Sequence, residues 1–200
     1  MASADSETGP GTQEAIPQAV KIIVAGGFGA GKTTLVASVS EITPLSTEEV
    51  MTEASYGVDD LGGVESKRTT TVALDFGRIT INDDIVLYLF GTPGQDRFWF
   101  MWDELASGAL GAVVLADTRR LDTCFHAVDF FERQGLPFVV AVNRFVGSEP
   151  YEAAEVREAL DIPAAVPVVM ADARDRDSCR DVLVELVTHV IRSRSPAMTG

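Results

Sequence analysis

The sequence predicts an α/β fold: three layers, α/β/α, built around a six-stranded, mostly parallel sheet with one antiparallel edge strand. Three observations predict it. Short apolar runs rich in β-branched residues alternate with stretches of helical periodicity, the pattern of a parallel sheet covered by helices on both faces. Two of the runs, 70–81 and 85–90, are separated only by a polar turn at Asn82-Asp83-Asp84 and form a hairpin, which supplies the antiparallel strand. The first apolar run leads directly into glycines and then into a helix-compatible segment.

The elements follow in order. Residues 1–19 are rich in Ser, Thr, Gly and Pro and acidic, and read as a disordered tail ahead of a folded domain spanning 20–192. Val20 to Ala25 is a buried strand. Lys32 to Ser40 is a helix with Leu35, Val36 and Val39 on one face. Residues 41–68 are polar, contain glycines and have weak periodicity; they read as one long loop, a length usually kept for function. Thr70 to Ile81 alternates apolar and polar residues and pairs with Ile85 to Phe90. Strands at Ala112 to Ala116, Pro137 to Val142 and Val166 to Met170 then alternate with helices at Leu121 to Arg133, Tyr151 to Leu160 and Ser178 to Arg192. Residues 193–200 read as a flexible tail.

Composition narrows the function classes. The 200 residues are 46% hydrophobic and 23% charged, which suits one globular domain with a real core. A net charge of −14 argues against nucleic acid or anionic lipid as the main partner, because both select basic surfaces. No apolar run is long enough to span a bilayer, the N-terminal stretch has no signal-type apolar core, and the last residues carry no prenylation box. The expected location is the cytoplasm, with any membrane association made through partners. Cys124 and Cys179 have no metal-type spacing and read as buried free thiols.

Gly26-Gly27-Phe28-Gly29-Ala30-Gly31-Lys32-Thr33 matches the GxxxxGK[ST] phosphate loop in full. Glycines let successive backbone N–H groups turn inward onto phosphate oxygens, and the following helix adds its N-terminal dipole. Lys32 reaches the β- and γ-phosphates and the Thr33 hydroxyl ligates Mg2+. A chance match in a chain of this length arises only about 1% of the time at average residue frequencies. The motif sits between a strand and a helix, as the chemistry requires. The fold is therefore expected to be that of a P-loop NTPase. Its nucleotide contacts are Gly26, Gly27, Gly29, Ala30, Gly31, Lys32, Thr33 and Thr34.

Gly91-Thr92-Pro93-Gly94-Gln95, at the end of the second hairpin strand, resembles the DxxGQ motif of the Ras-like small GTPases, and Thr71 to Phe76 resembles the threonine of their first switch leading into a strand. The likeness covers roughly residues 20–192. It implies GTP and GDP with Mg2+ as ligands and slow intrinsic hydrolysis. It also implies that Gly94 donates its N–H to the γ-phosphate and that Gln95 orients the attacking water. Thr71, with Thr70 as its nearest rival, becomes the second metal-sensing hydroxyl. Within the superfamily the chain is most similar to the bacterial MglA-related group, and more narrowly to the GTPases of actinobacterial conservon operons. That kinship implies a molecular switch read by a Roadblock/LC7-type (MglB-like) partner, alongside a sensor-kinase-like protein.

Several positions depart from the pattern. Gly91 stands where the superfamily has a metal-holding Asp; Asp59 or Asp60 in the long loop is a candidate substitute. Asn143-Arg144-Phe145-Val146 occupies the place of the NKxD base motif. Asn143 is kept and the Arg144 stem can stack on a base, but Val146 replaces the carboxylate that recognises guanine, which erodes guanine-over-adenine selectivity. Asp172, in Ala171-Asp172-Ala173-Arg174 where the SAK motif belongs, reads either as the missing carboxylate or as a helix cap. With Asp172, Ala173 and Arg174 complete the candidate base site. Arg68 is either a built-in arginine finger or a solvated loop residue. Of Phe98, Trp99, Phe100 and Trp102, some are expected in the core and at least one outside as a partner anchor. His126 and His189 have no neighbours that would make them catalytic.

Overall fold

The computed structural model describes residues 16–43, 45–52, 69–94 and 96–195; for 45–52, 69–73, 96 and 97 the backbone alone is described. Seven strands form one sheet in the order β2-β3-β4-β1-β5-β6-β7. They are β1 (Gln18–Gly26), β2 (Leu45–Thr52), β3 (Thr69–Asn82), β4 (Ile85–Gly91), β5 (Ala109–Ala116), β6 (Phe138–Asn143) and β7 (Val168–Ala171). β1 lies parallel to both β4 and β5, and β5, β6 and β7 continue the parallel arrangement. β3 runs antiparallel to β4 and to β2.

The three-layer α/β fold is as expected, and all six expected strands are present. The seventh, β2, falls in the segment read as a loop. Its sequence, LSTEEVMT, lacks a sustained apolar face, because an outermost strand needs only backbone pairing on one side and tolerates charge. β1 begins at Gln18, two residues earlier than expected.

Helices cover the two faces. Alternate β1 residues point to opposite sides: Ile22 and Val24 join one apolar cluster, Ile23 and Ala25 the other. The first cluster is closed by α1 (Lys32–Val39) and α5 (Arg176–Arg194), which contribute Leu35, Val36, Leu183 and Leu186. The second is closed by α2 (Trp102–Ala106), α3 (Phe125–Gln134) and α4 (Ala153–Ala159), which contribute Trp102, Val128, Phe131 and Val156. Both thiols are free and buried. Burial pushes Cys124 up to about 12 and Cys179 up to about 11, so neither is a ready nucleophile. Among the described residues, no helix is long and apolar enough to cross a membrane. The parallel strands β1, β4, β5 and β6 end on the same side of the sheet, where side chains and loops converge on one cleft.

Candidate nucleotide site

The cleft has a volume of about 390 Å³ and is lined by the phosphate loop, Asp75 of β3, and Thr92 to Gly94 beyond β4. Its floor is the turn between β1 and α1. Gly31 holds φ +105°, a left-handed conformation that glycine adopts freely, and starts α1 without any side-chain cap. The first-turn amides of that helix thus have no neighbouring hydroxyl or carboxylate competing for them, which suits an anion. Lys32 is buried, and its ammonium donates to the carbonyls of Gly26 at 3.0 Å and Gly27 at 2.8 Å. Burial lowers its pKa to about 8, and the nearby Asp75 charge opposes that fall.

The remaining phosphate-side residues are braced against this loop. Gly94 lies so close that a side chain there would reach within 2.7 Å of Lys32 Nζ and 2.9 Å of the Phe28 nitrogen. Thr33 Oγ1 donates to Asp75 Oδ2 at 2.7 Å. Thr92 is 3% exposed, and its hydroxyl has no hydrogen-bond partner among the described residues. A buried hydroxyl without a partner beside a cleft fits a site built for a polar ligand.

Asn143, at the end of β6, holds the two ends of the site together. Its Nδ2 donates to the Ala30 carbonyl at 2.9 Å and its Oδ1 accepts from the Ala173 amide at 3.0 Å. Ser38 of α1 adds a second tie, its hydroxyl donating to the Ala173 carbonyl at 2.6 Å. A third brace comes from the turn after β5. The buried Asp117 carboxylate takes a two-pronged bond from Arg119, at 2.9 and 2.8 Å, and lies 3.6 Å from Arg120. Arg120, at φ −149° and ψ 56°, interrupts the 3-10 turns Thr118–Cys124 and donates to the Phe28 carbonyl at 2.9 Å.

The base-side residues are built differently. Arg144 is exposed and fixed by its backbone, its amide donating to the Ala171 carbonyl at 2.8 Å. Val146 is 87% exposed. Asp172 is not the cap of α5; Asp175 is, accepting from the Asp177 amide at 3.0 Å. Asp172 instead pairs with Arg174, at 2.8 and 2.7 Å, and accepts the Arg174 amide. Arg174 holds the Asp172 carboxyl down to about 2, so it stays ionised and already paired. A purine reaching for this carboxylate must share it.

A family model described as "conserved hypothetical ATP binding protein" matches residues 24–193. The chain belongs to that family. Among curated proteins, this ATP-binding family member is 32% identical over 127 residues to the uncharacterised protein MJ1339 of Methanocaldococcus jannaschii, covering 62% of this chain and 70% of that one. Among solved structures it resembles the cytosolic domain of the FeoB iron transporter of T. maritima in a GDP form, with TM-score 0.61 and 15% identity. That match covers 88% of this chain and 65% of the FeoB cytosolic-domain chain, so the chain spans just under two thirds of that domain chain's length. The FeoB G-domain of Methanococcus jannaschii gives TM-score 0.57 and 13% identity, covering 87% of this chain and 99% of that one. At these identities the structural likeness establishes the fold, a P-loop GTPase-like domain.

The structure brings together every phosphate-loop residue that the sequence pointed to, with Gly94, Asn143 and Ala173. Arg68, Gln95, Asp59 and Asp60 lie outside the described residues, as does the side chain of Thr71, whose backbone pairs with Val50 in the β2–β3 ladder. Sequence reasoning gave no role to Asp75, Ser38, Asp117 or Arg120. For Asp75 the signal was within reach: in the hairpin register it stands opposite Gly91. Phe98 and Trp102 are buried, Trp99 is partly buried, and Phe100 is 62% exposed, the division expected of this cluster. His126 packs its ring on Trp99, at 3.6 Å between centroids, which is a packing role.

Proposed function

We propose that this chain is a nucleotide switch that binds GTP by its phosphates, accepts ATP with less than the usual discrimination, and hydrolyses the triphosphate slowly. The single observation behind it is the braced phosphate loop: a buried ammonium, an uncapped helix start and Gly94 converge on one cleft. The relaxed base choice is supported by the exposed Val146 and by Asp172 being already neutralised by Arg174. The family's description as ATP-binding and the GDP form of the FeoB neighbour are both compatible with that choice.

The fit of Mg2+ to the site is chemical. Thr33 offers a hydroxyl, Asp75 a hard anionic oxygen 2.7 Å away, and Thr92 a buried hydroxyl without a described partner. When bound, the ion would be held by Thr33 and Asp75 and would offset the negative charge of the nucleotide's phosphates. The protein's own part is to hold the phosphates with backbone amides and Lys32, and to keep Gly94 beside the loop, where its N–H can donate to a γ-phosphate. Gain and loss of that contact is the switch. The segment following Gly94 carries Phe100, 62% exposed, a suitable anchor for a partner that reads the state. The narrower likeness to MglA-related, conservon-type GTPases makes a Roadblock/LC7-domain protein our proposed reader, with a sensor-kinase-like protein in the same complex and any membrane contact made through them.

The test is phosphate release from GTP and from ATP by the purified chain, with and without such a partner. Slow release that the partner changes at least several-fold supports the switch. Tight binding with no release under either condition makes the chain a nucleotide-dependent scaffold, and absence of binding removes the reading altogether.

A further inference from the structure

P-loop NTPases hold their metal with the loop Ser/Thr and one strand-borne aspartate. In this chain the β4 end that would carry such an aspartate is Gly91, and the sequence offers no acidic residue between Ile85 and Gln95. We propose that Asp75, on the neighbouring strand β3, is the carboxylate that holds the divalent cation of the bound nucleotide, so that the metal's anionic arm has crossed one strand of the hairpin. The inference rests on the nucleotide reading above.

Two independent pieces of geometry carry it. The first is position: Asp75 Oδ2 is 2.7 Å from Thr33 Oγ1, the hydroxyl the motif reserves for the metal. Among the described residues lining the cleft, Asp75 is the acidic one. The second is steric. Asp75 and Gly91 are directly paired across the β3–β4 ladder. A Cβ built on Gly91 would lie 2.9 Å from Asp75 Cβ and 3.0 Å from Oδ2. The space a residue-91 side chain would need is thus the space the Asp75 side chain fills. Its Cβ is fixed to the backbone, so the clash cannot be relieved by swinging the end of a flexible chain. Gly91 is glycine because Asp75 is there, and the missing acid is replaced rather than lost. Asp59 and Asp60, in the segment before β3, are then not needed for this role.

The test compares Asp75→Asn with the parent chain, using a fluorescent GDP analogue titrated with excess Mg2+ and again with EDTA. Asn keeps the size and can still accept the Thr33 hydroxyl, so a purely structural Asp75 would leave the metal response unchanged. The expected result is that Mg2+ tightens binding in the parent, and that the variant loses roughly 10- to 100-fold of that tightening while binding in EDTA stays within about threefold. An Asp75→Asn chain with the parent's full Mg2+ response overturns this proposal and leaves the nucleotide reading standing. A parent chain that never binds the analogue removes both. A second measurement needs no variant: Fe2+ substituted for Mg2+ with the GDP analogue, then ascorbate and peroxide to cut the backbone beside the ion. Cuts near residues 33 and 75 support the assignment, and cuts confined to 53–68 overturn it.

Discussion

The phosphate end and the base end of the cleft are built on opposite principles. At the phosphate end, the Thr92 hydroxyl apart, the polar groups are held by others: Lys32 by two carbonyls, Thr33 by Asp75, the loop itself by Asn143 and Arg120. At the base end Arg144 and Val146 are open to solvent, and the candidate carboxylate Asp172 is satisfied by its own neighbour Arg174. Buried, mutually bonded groups give steep consequences when removed, whereas solvated pairs contribute little. Under the proposed function, such a contrast puts the selectivity in the polyphosphate and its metal, and little of it in the purine.

The largest effect should come from Lys32→Ala, which removes the buried ammonium; GTP and ATP affinity should both fall at least about 100-fold by fluorescence titration. Asn143→Ala breaks both ties across the site and leaves the Ala30 carbonyl and Ala173 amide unpaired. It should cost about 2 kcal/mol in urea unfolding and weaken both nucleotides in parallel. A selective loss of GTP alone would break the contrast, by showing that Asn143 reads the base.

The pH response is next in size. Only protonated Lys32 pairs with phosphate, and in the empty protein it gives up its proton as pH rises through about 8. Binding above that pH must therefore take up a proton, and affinity should drop about tenfold between pH 7 and 9. Calorimetry in buffers of different ionisation enthalpy should show the uptake. Because the Asp75 charge supports the protonated form, Asp75→Asn should move the drop to lower pH.

Gly91→Asp restores the usual motif residue yet collides with Asp75, so it should destabilise the fold by about 1–3 kcal/mol. Unfolding at parent stability would mean that the hairpin has room for both acids. The smallest change is expected at the base end. Arg174→Ala removes an exposed ion pair, so the urea unfolding midpoint should stay close to the parent's. The freed Asp172 carboxylate should raise the GTP-over-ATP preference by a few-fold.

The sequence exposed what is local and hid what is long-range. The phosphate loop was legible because eight consecutive residues carry it, between a strand and a helix whose periods are plain. Asp75 was not, because its partner in chemistry is Thr33 and its partner in shape is Gly91, and only sheet register joins them. β2 was hidden for a related reason: Glu48 and Glu49 break the apolar pattern on a strand that needs only one neighbour. At the start of α5 the choice between Asp172 and Asp175 turned on three residues of helix boundary, and the cap went to Asp175.

The most direct test is calorimetric titration of the whole chain with GTP and with ATP in Mg2+ at neutral pH. Two affinities within about tenfold of each other, both abolished by Lys32→Ala, are what a phosphate-reading cleft produces. A preference beyond about 1,000-fold for either purine, or no heat from either nucleotide, would contradict it.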